Sequence, residues 1–261
     1  MPLRNTKTAH LSSTQRNKSA LIELGILFLP SIPALIWLWP NIDGTAFYYP
    51  VQCLVYIYFL GGALFIGLRR WTWEELGLSM GGIVLSLACS TVLLIERFLA
   101  PLALGIPLDF QPFALWRIIG EILFYFGMVG AVEELLFRGL VYQIFDSWYG
   151  PGLAIFCSSL GFALWHIGWM GPLIIAPFFL GIIFGLIRWR TGNIAGLILV
   201  HGAFDLLGIE MPLPISFSTI IDQVLQHRIA YPWAIVIGDT LMIAIILYLW
   251  KVHPRLQQMH R

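Results

Sequence analysis

Residues 117–145 read RIIGEILFYFGMVGAVEELLFRGLVYQIF. The stretch is apolar over more length than the ~20 residues needed to cross a ~30 Å bilayer core, yet it holds Glu121, Glu133, Glu134 and Arg138. Ionisable groups at such depth cost several kcal/mol and face the interior of a helix bundle. The reading is a membrane helix with its charges turned inward. It is too long for a perpendicular span, so it should tilt, or bend near Gly127 and Gly130.

The rest of the chain agrees. Hydrophobic residues make up 59% and charged residues 11%, against ~45–50% and ~25% in a soluble domain, which excludes a water-soluble globular protein. With 15 Lys+Arg against 14 Asp+Glu, there is no basic excess to recruit nucleic acid and no acidic tail. Cys53, Cys89 and Cys157 sit inside apolar runs as small hydrophobes, without metal or disulfide spacing. Cutting the sequence at charges and turn clusters gives an all-α, polytopic fold of about eight spans: Leu21–Trp39, Phe47–Leu68, Met80–Ile95, Arg117–Phe145, Gly152–Trp169, Pro172–Ile187, Asn193–Ile209 and Pro232–Trp250. They form one transmembrane domain over 21–250, between tails at 1–20 and 251–261. With both tails cytoplasmic, eleven of the fifteen basic residues, Arg188 and Arg190 among them, fall on the inner side. An integral membrane protein follows, in the plasma (inner) membrane if the source is bacterial. Residues 69–78, which mix charges with Trp71 and Trp73, read as an interfacial helix on the cytoplasmic leaflet. Loops 98–112 and 210–231 carry no functional signal.

The intramembrane charges concentrate in three segments: Glu133-Glu134-x-x-x-Arg138, Phe162-x-x-x-His166 and His201-x-x-x-Asp205. Glu134 and Arg138 lie four apart, on one helix face, and can pair so that neither is a bare charge. Glu133 points about 100° away and is free to face another wall. His201 and Asp205 also share a face, able to bind a metal, orient a tautomer or neutralise each other. At a rise of ~1.5 Å per residue, Glu133, His166 and His201 lie about 18, 21 and 12 Å from their span ends and converge near mid-membrane. Glu23, Glu121 and Asp239 read instead as interhelical hydrogen bonds.

These motifs, in this order on separate apolar segments, resemble the CPBP family of intramembrane proteases, which includes type II CAAX prenyl endopeptidases, bacterial Abi proteins and lysostaphin-resistance proteins. The resemblance covers a core of about 117–209. It implies peptide hydrolysis within the membrane, acting on a membrane-embedded or prenylated substrate. It implies that Glu133 activates the attacking water, assisted by His166, and that His201 and Asp205 hold a metal or stabilise the oxyanion. Glu134 and Arg138 would be a structural pair and Phe162 a packing residue. Zinc or another divalent cation, held by Glu133, His166, His201 and Asp205, stands beside a metal-free glutamate mechanism. The prenyl-endopeptidase branch usually has asparagine where this chain has Asp205. An ionised aspartate only accepts hydrogen bonds, which weakens the oxyanion role at that position and leaves a metal ligand, a protonated acid or a partner that orients His201.

Two other classes compete. A proton- or ion-coupled transporter also uses buried Glu, His and Arg, but this chain has no repeated halves and gathers its charges at one place. A membrane scaffold or immunity protein would hold the cluster for structure alone. The Gly77-x-Ser79-x-Gly81 pattern lacks the strand-turn-helix context of a serine hydrolase and reads as a chance match.

Overall fold

The computed structural model describes residues 13–31, 41, 47–103, 115–167, 174–206, 240, 243, 244 and 247. Among these, all regular structure is helical. We number the helices α1 (Ser13–Phe28), α2 (Tyr48–Leu68) and α3 (Ile83–Ala103); α4, a run of five helical segments from Leu115–Phe124 to Tyr142–Tyr149; then α5 (Pro151–Trp165), α6 (Ile175–Thr191) and α7 (Ala195–Asp205). By length and composition α2 can cross a membrane over Tyr49–Leu68, and shorter apolar helical stretches occupy Ile83–Ile95, Pro151–Trp165 and Ala195–Asp205.

The bundle has an apolar core that also encloses polar groups, and many of its large apolar side chains face outward. Ile22, Leu54, Phe65, Val84, Leu123 and Ile175 are all more than half exposed, whereas Asn17, Gln52, Ser86, Ser158, Ser159, Glu133, Glu134, Arg138 and His201 are buried. Such a surface is stable where the surroundings are hydrocarbon, since contiguous exposed apolar area is costly in water.

Several expectations shift. Helix α1 starts at Ser13, inside the segment read as a tail, because Asn17 is buried and its amide donates to the Ile144 carbonyl at 3.4 Å. Helix α3 runs on to Ala103, taking in the start of the expected loop 98–112. Residues 69–78 are not an interfacial helix but a turn-rich strap. Trp71 and Leu76 are buried, so the protein interior covers the side chains assigned to the leaflet; Trp73 stays about half exposed. The expected loop 210–231, the tail 251–261, residues 1–12 and all of the expected eighth span except residues 240, 243, 244 and 247 lie outside the described residues.

Arg188, counted above among the inner-side charges, is buried. Its Nη2 donates to the Glu75 carbonyl at 2.7 Å and its Nε to the Arg138 carbonyl at 3.2 Å, so one guanidinium ties the strap to α4. The Asn193 amide donates to the Ser79 and Gly81 carbonyls, and the Ile194 N–H to the Gly77 carbonyl at 2.8 Å. Ser79 thus lies on this strap, with its hydroxyl on the Gly81 carbonyl. Glu23 pairs with Arg70, as an inter-element polar contact should.

Helix α4 is the axis of the bundle, and every residue from Val132 to Tyr142 is buried. It is irregular at the expected glycines and again beyond them: Tyr125–Gly130, which holds Gly127 and Gly130, and Leu135–Val141 are π-helical, flanking the short α-helical turn Ala131–Glu134. Extra residues in a turn re-aim side chains and loosen the backbone ladder, which is why such segments gather at working sites. The Arg138 carbonyl, taken by Arg188, lies in the second of them.

Close packing of α7 on α4 sets the site. A Cβ at Gly202 would stand 2.8 Å from Phe126 Cα, and one at Gly130 would stand 2.6 Å from the Ile198 carbonyl oxygen. Glycine at both positions lets the backbones touch, as small residues do at membrane helix interfaces. That contact carries His201 to Glu133 and Glu134.

Candidate active site

Four helices converge on one polar cluster. Helix α4 supplies Glu133, Glu134 and Arg138; the end of α5 supplies Phe162, Trp165 and His166; α7 supplies His201 and Asp205; and α2 supplies Tyr56. Every residue singled out from the three motifs is at or against this cluster.

Glu133 is 2% exposed and its two oxygens differ. Oε1 accepts from the Tyr56 hydroxyl at 3.0 Å and from the Trp165 indole N–H at 3.1 Å. Oε2 is buried with no hydrogen-bond partner. It faces Nε2 of His166 and Nε2 of His201, each at 3.8 Å. That spacing is too long for a direct hydrogen bond, so the carboxylate oxygen and the two ring nitrogens face one another without bonding.

The two imidazoles are oriented from behind. His166 Nδ1 lies 2.8 Å from the Phe162 carbonyl oxygen, which only accepts, so Nδ1 carries the proton. His201 Nδ1 lies 2.7 Å from Glu134 Oε1. In the neutral tautomers so defined, both Nε2 lone pairs point to Glu133. Asp205 sits at the more open edge, its Oδ2 at 3.5 Å from His201 Nε2.

Glu134 and Arg138 pair as their spacing predicts, at 3.0 Å and with both side chains fully buried. Glu134 does more than neutralise Arg138, because the same Oε1 also holds His201. The Arg138 guanidinium lies 4.2 Å from the Phe162 ring centroid and 5.2 Å from that of Phe184. Phe162 also meets the His166 ring at 4.6 Å and the His201 ring at 5.7 Å, so it packs against both imidazoles.

Sequence reasoning assigned no role to Tyr56 or Trp165. Tyr56 lies in a run rich in aromatics and nothing in its spacing sets it apart. Trp165 stands inside a quoted motif, beside His166, but an indole in a membrane helix ordinarily reads as packing.

No group of three His, Cys, Asp or Glu side chains among the described residues forms a set that could hold a metal ion. The expected ligands Glu133, His166, His201 and Asp205 are neighbours but are not arranged as such a set. An apolar cavity of about 310 Å³ adjoins the cluster, lined by Leu24, Phe28, Phe137, Leu164 and Trp165 among others. Trp165 is its shared wall with the carboxylate site, since its N–H reaches Glu133.

Against known proteins, residues 115–207 match the family model described as Type II CAAX prenyl endopeptidase Rce1-like. The match spans all three motifs and just over a third of the chain. No curated protein and no solved structure matches the chain.

Proposed function

Because the match over residues 115–207 supports membership of the type II CAAX prenyl endopeptidase family, we propose that this chain is an intramembrane endopeptidase. It hydrolyses a peptide bond in a prenylated, membrane-held substrate with water activated by Glu133. The observation that carries the mechanism is the unpartnered Oε2 of Glu133 between two imidazole Nε2 atoms. A buried acceptor left unpaired costs about 1–3 kcal/mol, and a water there repairs the deficit while standing at a base.

In this reading Oε2 takes one proton from the water as its oxygen bonds to the amide carbon. The carbonyl π pair moves to oxygen, and the tetrahedral intermediate then expels the amine as Glu133 returns the proton to nitrogen. Both directions of transfer suit a carboxyl group within hydrogen-bond reach of its partner. The His166 Nε2 lone pair accepts the water's second hydrogen and fixes its direction. When His201 is protonated, its Nδ1–H belongs to Glu134 and its Nε2–H is the donor available to the oxyanion. Asp205, an acceptor when ionised, serves His201 rather than the oxyanion. The metal-assisted version of the reaction is separated from this one by chelation.

The apolar cavity beside Trp165 supports a substrate with a hydrocarbon group, which it would shelter next to the scissile bond. The orientation with both termini cytoplasmic belongs to the same reading. The test is incubation of the purified protein in detergent with a farnesylated CAAX peptide in water enriched in ¹⁸O. One new carboxyl terminus carrying the label supports hydrolysis; an intact peptide beside a folded protein contradicts it and returns weight to a transporter or scaffold.

A further inference from the structure

The matched family segment begins at residue 115, but the site does not end there. Tyr56 lies on α2, well before that segment, and its hydroxyl is 3.0 Å from Glu133 Oε1. It is 8% exposed, on a helix whose neighbouring side chains Leu54 and Ile57 face outward. A phenol can donate or accept, but a carboxylate only accepts, so the Tyr56 proton lies on this contact.

Trp165 donates to the same oxygen from the opposite helix, α5, at 3.1 Å. An indole N–H is a donor and nothing else. Both available donors therefore fall on Oε1 and neither on Oε2. Two hydrogen bonds from two helices hold the carboxylate against rotation, and Oε2 is the oxygen they leave toward His166 and His201.

Helix α2 braces both halves of this arrangement. Phe59, three residues after Tyr56 and so on the same face, meets the Trp165 ring at 5.0 Å and 90°. Phe28 of α1 meets it at 5.8 Å and 85°. Edge-to-face contacts of this kind fix an aromatic plane, and here they aim the indole N–H. The Tyr56 ring is itself held edge-on to Phe124 of α4, at 5.9 Å.

We propose that Tyr56 is a positioning residue of the hydrolytic site, one half of a two-donor clamp with Trp165 that engages Glu133 Oε1 and commits Oε2 to the water. The inference rests on the function proposed above. It adds that α2, outside the family segment, is a working part of the enzyme.

The test uses the full-length protein in detergent, with a farnesylated CAAX peptide as the probe, and compares Tyr56→Phe with Tyr58→Phe. Tyr58 lies on the same helix and donates to the Leu27 carbonyl at 3.1 Å, away from the cluster. Tyr56→Phe should lower kcat about tenfold or more with KM within about twofold, because it loosens the base without altering peptide contacts. Tyr58→Phe should keep wild-type kcat. A thermal-unfolding cycle of Tyr56→Phe, Glu133→Ala and the double variant gives a readout independent of substrate. The two changes should be non-additive, as groups in direct contact are. Wild-type kcat in Tyr56→Phe, an equal loss in Tyr58→Phe, or additive stability effects each overturn the clamp. Failure of the family reading looks different: Glu133→Gln would cleave at the wild-type rate, or the wild type would leave the peptide intact, while the stability cycle still reported the Tyr56–Glu133 contact.

Discussion

Glu134 Oε1 lies 2.7 Å from His201 Nδ1 and 3.0 Å from Arg138 Nη1, so a single oxygen neutralises a buried guanidinium and orients an imidazole. Glu134→Ala should leave Arg138 buried without its counter-charge, at roughly 3–5 kcal/mol. It should also free His201 to turn, costing a further 10–100-fold in cleavage, the usual scale for a lost orienting partner. Glu134→Gln keeps an acceptor for the Nδ1–H and should lose less of both. Thermal unfolding in detergent, set beside peptide cleavage, checks the order. Equal effects of Ala and Gln would contradict it.

Gly202→Ala tests the packing that builds the site. Its Cβ would meet Phe126 Cα at 2.8 Å and the Tyr125 carbonyl oxygen at 2.9 Å, and backbone cannot yield as a side-chain tip can. Forcing α7 from α4 should cost about 1–3 kcal/mol and carry His201 away from Glu133, with cleavage falling at least tenfold. Gly127→Ala, where a Cβ meets nothing within 4 Å, is the matched control and should keep both stability and activity. A neutral Gly202→Ala would show that the helices are not in close contact.

Arg188→Lys tests the tie between the strap and α4. Lysine keeps the charge but not the planar fork, and the Glu75 and Arg138 carbonyls are held by two different nitrogens of that fork. The variant should leave a buried carbonyl unpaired, cost about 1–3 kcal/mol and expose the segment around Arg69–Gly82 to protease before global unfolding. Unchanged proteolysis there would mean that the Asn193 and Ile194 contacts suffice.

Chelation separates the two hydrolytic chemistries. With water activated by the Glu133 carboxylate, cleavage should survive prolonged treatment with a strong chelator. Loss of activity restored by adding zinc or another divalent ion would assign Glu133, His166, His201 and Asp205 as ligands instead.

The sequence made the class and the cluster legible because both rest on strong local signals. A charge in an apolar run has few explanations, and i, i+4 spacing placed Glu134 with Arg138 and His201 with Asp205 before any coordinates. The depths of Glu133, His166 and His201 along their spans indicated that they would meet, as they do. What escaped notice depended on contacts far apart in the chain. Tyr56 reaches Glu133 across 77 residues and Asn17 reaches Ile144 across 127, with no periodicity to announce either. The burial of Arg188 was not legible, since a basic residue after an apolar run ordinarily marks a cytoplasmic loop, and only the strap folding back covers it. The strap in turn resembled an interfacial helix because Trp beside charge suits a leaflet surface as well as it suits a turn that tucks Trp71 inside.

The central claim is that Glu133 Oε2 activates the water. The direct measurement is kcat for a farnesylated CAAX peptide with wild-type protein and with Glu133→Gln, which keeps an acceptor for Tyr56 and Trp165 but removes the base. The account predicts a loss of at least 100-fold with the fold intact by thermal unfolding. Cleavage within a few-fold of wild type in folded Glu133→Gln would contradict it.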